Sequence, residues 1–264
     1  MRVLSTVLCS AFLLAPLTIG TLQAGDYGYD EVERQQELLG VWYEVREANA
    51  ERGDTQAMFD AGMANYVGRG TPVDHAAAAH WFQRAAGDDE PRSHYYLGYM
   101  YAVGEGVAVD PERSLEHYTR AAELGHAEAQ YWIGSRFTGG AQRDDTAALQ
   151  WLTRAAEQGV PEAQYSTGYF HEHGRATPRD AARAAEWYSK AAQQGHRSAQ
   201  IGMGRLHQSG RGVPRDRVQA YVWFSRAGDE ERIRSLQAQL TRRDLNTAET
   251  RLREEPGLRA AAAR

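Results

Sequence analysis

Two residue types return along this chain at one shared set of intervals. Gly62, Gly98, Gly134, Gly168 and Gly204 lie 36, 36, 34 and 36 residues apart, and Ala85, Ala121, Ala155, Ala191 and Ala227 lie 36, 34, 36 and 36 apart, both short gaps spanning the same stretch after Gly134. Independent markers that shorten together at one place describe a single unit copied five times. A unit of this length is one supersecondary element that cannot bury its apolar face alone, so the copies must stack. The functional question therefore moves from an enclosed active site to a surface.

Each copy reads as a helix, a loop and a helix. Between Gly125 and Gly159, Ala129, Trp132, Ile133 and Phe137, then Ala148, Trp151, Leu152 and Ala155, fall at spacings of three and four, the helical period. Gly68, Gly104, Gly140, Gly174 and Gly210 follow the marker glycines by six residues and are placed to end the first helices. Asp74, Asp110, Asp144, Asp180 and Asp216 then precede the second helices, where a carboxylate accepts from the free amides of the first turn. Gly53, Gly125, Gly159 and Gly195 end the second helices, with Asp89 replacing glycine once. Ala57, Ser93, Ala129, Ala163 and Ala199 extend each marker glycine into a strip of small residues. Trp81, Trp151, Trp187 and Trp223 recur on the second helices, with His117 standing in once. Large beside small is what interdigitating helices need.

These residues resemble the Sel-1-like repeat, a relative of the tetratricopeptide repeat. Tyr95-Tyr96-Leu97-Gly98, Gly104-Glu105-Gly106-Val107, Asp110 and Arg120-Ala121-Ala122 carry the pattern, and Gly204, Gly210-Arg211-Gly212-Val213, Asp216 and Trp223 repeat it. The third copy departs through a loop two residues short, and the fourth through Ala176 in place of a second loop glycine. The resemblance implies an all-α fold, a right-handed α-solenoid of stacked helix-loop-helix repeats with about twelve to fourteen helices. The repeats occupy 55–228. An amphipathic N-terminal capping helix is expected in 25–54 and C-terminal capping helices in 229–255, where Thr241 to Asp244 reads as a capping box. A disordered tail is expected over 256–264.

Residues 1–24 read as a signal peptide. Arg2 gives a positive start, Val3 to Ile19 is almost wholly apolar or small, and Ala24 offers a small residue at the cut. This predicts a periplasmic or secreted protein with no membrane span after cleavage. Cys9 is the only cysteine and would leave with the leader, so the mature chain carries no disulfide and no thiolate ligand. A formal net charge of −5 argues against nucleic acid, which needs a basic stripe.

Nothing in the chain assembles a recognisable catalytic group, so no catalytic, cofactor or metal residues are expected. His171 and His173 point about 200° apart on a helix, and His171 and His207 occupy a packing position. The Gly-x-Gly loops lack the lysine and the preceding strand of a phosphate loop. His126 and His196 follow helix-ending glycines and read as structural.

The informative positions are those the repeat does not dictate. On the first helices they lie two before, one after and five after the marker glycine, on one face. They hold Tyr96, Tyr99, Trp132, Ser135, Tyr169 and His173, with Arg136 beside them. Large aromatics there predict a partner-binding patch of Tyr96, Tyr99, Trp132, Arg136, Tyr169 and His173 along the inner, concave curve. The resemblance implies a non-catalytic scaffold or adaptor for a protein partner, in envelope complex assembly or host interaction. The alternatives are a glycan-binding module that takes polysaccharide, and an enzyme acting on cell wall or β-lactams. The second of these is implied only by a branch of the family whose paired cysteines this chain lacks.

Overall fold

A computed structural model describes residues 29–254. They form thirteen α-helices and, among the described residues, no strand. Helix α1 spans Tyr29–Glu51. Five pairs follow: α2 Thr55–Val67 with α3 His75–Gly87, α4 Pro91–Val103 with α5 Pro111–Glu123, α6 Ala127–Arg136 with α7 Asp145–Glu157, α8 Pro161–His173 with α9 Ala181–Gln193, and α10 Arg197–Ser209 with α11 Arg217–Ala227. Helices α12 (Glu230–Gln237) and α13 (Arg242–Glu254) close the chain. From α1 to α12 each helix packs on its neighbours in sequence, and α13 packs on α11, which makes an all-α solenoid. The expected leader, 1–24, and tail, 256–264, lie outside the described residues.

The helix ends have local causes. The side chains of Asp74, Asp110, Asp144, Asp180 and Asp216 all accept from first-turn amides, which satisfies donors that have no partner within the helix. Helices α6 and α10 are capped differently. The Nδ1 atoms of His126 and His196 accept from Ala129 N at 3.4 Å and Ala199 N at 3.2 Å. At the start of α13, Thr241 Oγ1 accepts from Asp244 N while Asp244 Oδ2 accepts from Thr241 N, the reciprocal geometry of a capping box.

The third repeat corrects the expectation that Gly140 ends its first helix. Helix α6 stops at Arg136, and Gly140–Gln142 form a 3-10 turn instead. A connection two residues shorter cannot wrap like the others. Arg175 from the next repeat bonds Asp145 and donates to the Thr138 carbonyl at 3.0 Å, bracing this turn. Ala176, beside it, sits at φ +55. In the first, second and fifth copies this position is glycine for a plain reason: a Cβ on Gly106 would lie 2.1 Å from the His75 carbonyl oxygen.

The marker glycines mark where paired helices touch. A Cβ added at Gly62, Gly98, Gly134, Gly168 or Gly204 would come within 2.4–3.0 Å of Phe82, Tyr118, Leu152, Tyr188 or Phe224, respectively. All five facing side chains are buried. Each follows the repeat tryptophan position by one residue, so the tryptophans are not the partners of the glycines. Trp81, Trp151, Trp187 and Trp223 instead lie under the cation three residues later, Arg84, Arg154, Lys190 and Arg226, at 4.2–4.8 Å. Trp81 and Trp223 are buried, whereas Trp151 and Trp187 are partly exposed.

A buried amide ladder fixes the stacking of the later repeats. Gln130, Gln164 and Gln200 donate to the carbonyls of Ala122, Ala156 and Ala192. The first two also accept from Gln158 and Gln194, at the end of the second helix of the same repeat, at 2.8 Å. The three amides are second donors to carbonyls that also accept from Gly125, Gly159 and Gly195 N at 3.1 Å.

Candidate functional site

The six patch residues fall into three environments. Tyr96 is a correction: it is only 5% exposed. Its ring lies against Phe82 at 5.2 Å, Tyr66 at 5.8 Å and Phe59 at 6.0 Å. It belongs to the core between the first two repeats because its edge of α4 faces α2 and α3, and it is not part of a recognition surface. Tyr99, one turn on, is partly buried against the same cluster, and burial raises its hydroxyl pKa.

Trp132 and Arg136 form a short stack on the third repeat. The indole lies on Tyr118 at 4.2 Å and 24°, and the Arg136 guanidinium sits 5.1 Å from the Trp132 centroid. Trp132 is therefore half anchor and half surface, while Arg136 is exposed. Ser135 points its hydroxyl inward to the Trp132 carbonyl at 2.8 Å. Tyr169 and His173 form a second stack on α8, with ring centroids 4.0 Å apart. His173 Nδ1 reaches the Tyr169 carbonyl at 2.9 Å. Both stacks hold a ring and a polar group in place before any partner arrives, which lowers the entropy cost of binding.

The other two histidines in question are ordinary packing residues. His171 is buried, and His207 Nδ1 lies 3.3 Å from the Pro214 carbonyl. Beside His171, the buried carboxylate of Glu172 accepts from Tyr188 Oη at 2.9 Å and Arg205 Nη2 at 3.0 Å, so its charge is paired. Among the described residues no group of three or more histidine, cysteine or acidic side chains could hold a metal ion, and no helix is long and apolar enough to cross a membrane.

A site missed from sequence lies at the second repeat. His94 occupies the position of the ladder glutamines and His117 that of the repeat tryptophans. Their Nδ1 atoms are 3.0 Å apart. His117 stacks on Tyr101 at 5°. His94 Nε2 faces Asp89 Oδ1 at 3.9 Å. Asp89 itself sits at φ +58 and takes two bonds from Arg120 at 2.7 and 3.0 Å. Burial lowers both imidazole pKa values, and the His94 ring helps push His117 down to about 4. The pair borders an open cleft of about 450 Å³ that Glu116, Thr119 and Glu123 complete. The available signal was the coincidence of two departures from the repeat in one copy.

Comparison with known proteins agrees with this geometry. The Sel1 repeat family profile matches residues 55–88, 91–126, 127–160, 161–196 and 197–231. Two Arabidopsis thaliana proteins, each described as an ERAD-associated E3 ubiquitin-protein ligase component, are similar over shorter stretches. HRD3A is 42% identical over 65 residues, 24% of this chain and 10% of that protein. HRD3B is 29% identical over 100 residues, 38% of this chain and 16% of that protein. The chain thus spans less than a fifth of the length of these curated relatives. A solved Sel1 repeat protein from Oxalobacter formigenes has 25% identity and a TM-score of 0.64, covering 76% of this chain and 83% of its own.

Proposed function

The chain belongs to the Sel1 repeat family, and on that premise we propose that it is an exported, non-catalytic scaffold that binds a protein partner along its first helices. Sel1 repeat proteins generally mediate protein–protein interaction, and the two plant relatives are named as components of a ligase, a role consistent with a scaffold. The reading of residues 1–24 as a leader supports export, to envelope complex assembly or host interaction. The observation that carries the binding face is the preformed pair of stacks, Trp132–Arg136 backed by the buried Tyr118, and Tyr169–His173, on the first helices of consecutive repeats. Rigid aromatic and arginine side chains are the residues that dominate binding energy at protein interfaces.

The test is affinity capture from the envelope fraction of the native host, with the mature chain as bait. Arg136→Glu and His173→Ala, both at exposed positions, should each abolish capture of one dominant protein while leaving the melting curve within a few degrees. Trp132→Ala is a weaker probe, because the loss of its stack on Tyr118 also destabilises. Recovery of polysaccharide alone would replace the protein partner with a glycan. Capture indifferent to both variants would remove this face from the reading, and a full-length chain retained in the cytoplasm would remove export.

A further inference from the structure

The two ends of the solenoid differ in chemistry. Helix α13 presents Arg243, Asn246, Thr250 and Arg253 to solvent, a polar outer face of the kind that terminates a stacked array. Helix α1 closes the opposite end and does the reverse. Its inner side is committed: Ala50 is buried, and Tyr43 packs on the cluster of Ala57, Met58, Ala61 and Trp81. Its outer side carries Leu38, Val41 and Val45, which are 63%, 57% and 55% exposed, with exposed Ala48 following. No other helix among the described residues shows three exposed large aliphatics. Positions 38, 41, 45 and 48 alternate steps of three and four, the seam by which one helix pairs with another.

The borders of this seam select its occupant. Glu37, Glu44 and Glu51 are exposed and run along one side at seven-residue intervals. Trp42 lies on the other side beneath Arg46 at 5.7 Å and Arg69 at 4.8 Å, and Arg46 is paired with Asp60 at 3.5 Å. An antiparallel second copy of α1 would set the three glutamates against their equivalents, so charge opposes self-pairing. A helix with lysine or arginine along that flank would meet them favourably.

We propose that the outer face of α1 docks an amphipathic partner helix whose aliphatic seam is flanked by basic residues. This is a second surface, separate from the first-helix stacks, and it stands whether or not those stacks bind. Apolar burial along the seam supplies affinity, and the glutamate row supplies selectivity and a dependence on salt.

The experiment uses the mature full-length chain and two synthetic helical peptides of about three heptads. The peptides share a leucine seam and differ only in flanks of lysine or glutamate. Fluorescence anisotropy should show the lysine-flanked peptide binding and the glutamate-flanked peptide failing to bind. Val41→Asp should weaken binding about tenfold or more without moving the melting point, since the residue is exposed. Glu37→Lys, Glu44→Lys and Glu51→Lys together should transfer the preference to the glutamate-flanked peptide. Equal binding of both peptides, or binding untouched by Val41→Asp, would overturn the proposal. So would a dimer that Val41→Asp dissolves, which would make the occupant a second copy. Attachment to phosphatidylglycerol vesicles lost with the same variant would make it a lipid surface.

Discussion

Gly204→Ala tests the packing rule of the whole array with one methyl group. The new Cβ would stand 2.4, 2.6 and 2.8 Å from three atoms of the Phe224 ring. Phe224 is fully buried with Ala220 and Leu236, so the ring has no solvent side toward which to move. Overpacking of this kind costs about 1–3 kcal/mol. It is opposed by the gain of up to ~1 kcal/mol when alanine replaces glycine inside a helix. The net expectation is a loss of about 1–2 kcal/mol, or roughly 2–8 °C in the melting midpoint for a chain of this size. Gly87→Ala is the matched control, because it lies at the end of α3 with nothing within 4 Å of its Cβ position. It should be neutral or slightly stabilising.

The decisive assay is urea unfolding followed by circular dichroism for Gly204→Ala, Phe224→Leu and the double variant. Leucine already fills the facing position in the third repeat, where Leu152 Cγ lies 3.0 Å from the Cβ position of Gly134. Phe224→Leu should therefore relieve part of the Gly204→Ala cost, giving a favourable coupling between the two changes. If Gly204→Ala stabilises as much as Gly87→Ala, or if the two changes simply add, the glycine and the ring are not in contact and the rule fails. Unfolding that splits into steps is itself expected, because the last repeat couples mainly to its neighbour.

Three further outcomes follow from particular residues. Ala176→Gly should raise the urea midpoint by the equivalent of about 0.5–1 kcal/mol, because alanine is strained at φ +55 by about 1–2 kcal/mol, partly offset by the greater chain entropy of unfolded glycine. Gln164→Met, which copies Met58 at the same place in the first repeat, should cost about 1–3 kcal/mol by removing two hydrogen bonds of about 0.5–1.5 kcal/mol each, to the Ala156 carbonyl and from the Gln194 amide, both of which keep a second partner in Gly159. Acidification from pH 7 to 5 should lower stability. Burial holds the pKa values of His94, His117, His126, His171 and His196 below 6.5, with His117 at about 4. The fold thus favours neutral rings, so their stabilisation is complete above 6.5 and is lost as pH falls toward the folded values. After discounting for its partial exposure, His117 accounts for roughly 1–2 kcal/mol. His117→Trp, which restores the repeat residue, should flatten the pH dependence of the urea midpoint, and a slope unchanged in that variant would remove His117 as a contributor.

The period, the aspartate caps and the small strip were legible because each is dictated by backbone geometry that every copy must satisfy. The partner of each marker glycine was not. Its chemical type drifts from Phe82 to Tyr118 to Leu152, since only volume matters at that contact, and a search for identical residues selects the neighbouring tryptophans instead. Tyr96 misled for a related reason. The position two before the glycine lies at the edge between two helix faces. In α4 it packs Tyr96 into the core, whereas in α6 the same position leaves Trp132 partly exposed.

The departures from the repeat carry more functional information than the repeat itself. Where five copies agree, the residue answers to stacking. His94 and His117 break the pattern within one copy and border one cleft, and Asp89, which breaks it at the end of the preceding copy, faces His94. Ala176 and Arg175 break or exploit it where the third loop is short. Leu38, Val41 and Val45 precede the first copy and satisfy no stacking need, since their side of α1 faces solvent. An aliphatic seam exposed there costs solubility without adding to the core, while the polar outer face of α13 shows that this chain can end an array safely. The asymmetry is therefore best explained by a partner at the N-terminal end. Comparing the solubility of the mature chain with that of Val41→Asp measures the cost directly: the variant should stay soluble to higher concentration, and an equal or lower limit would show that the seam is harmless and needs no partner to explain it.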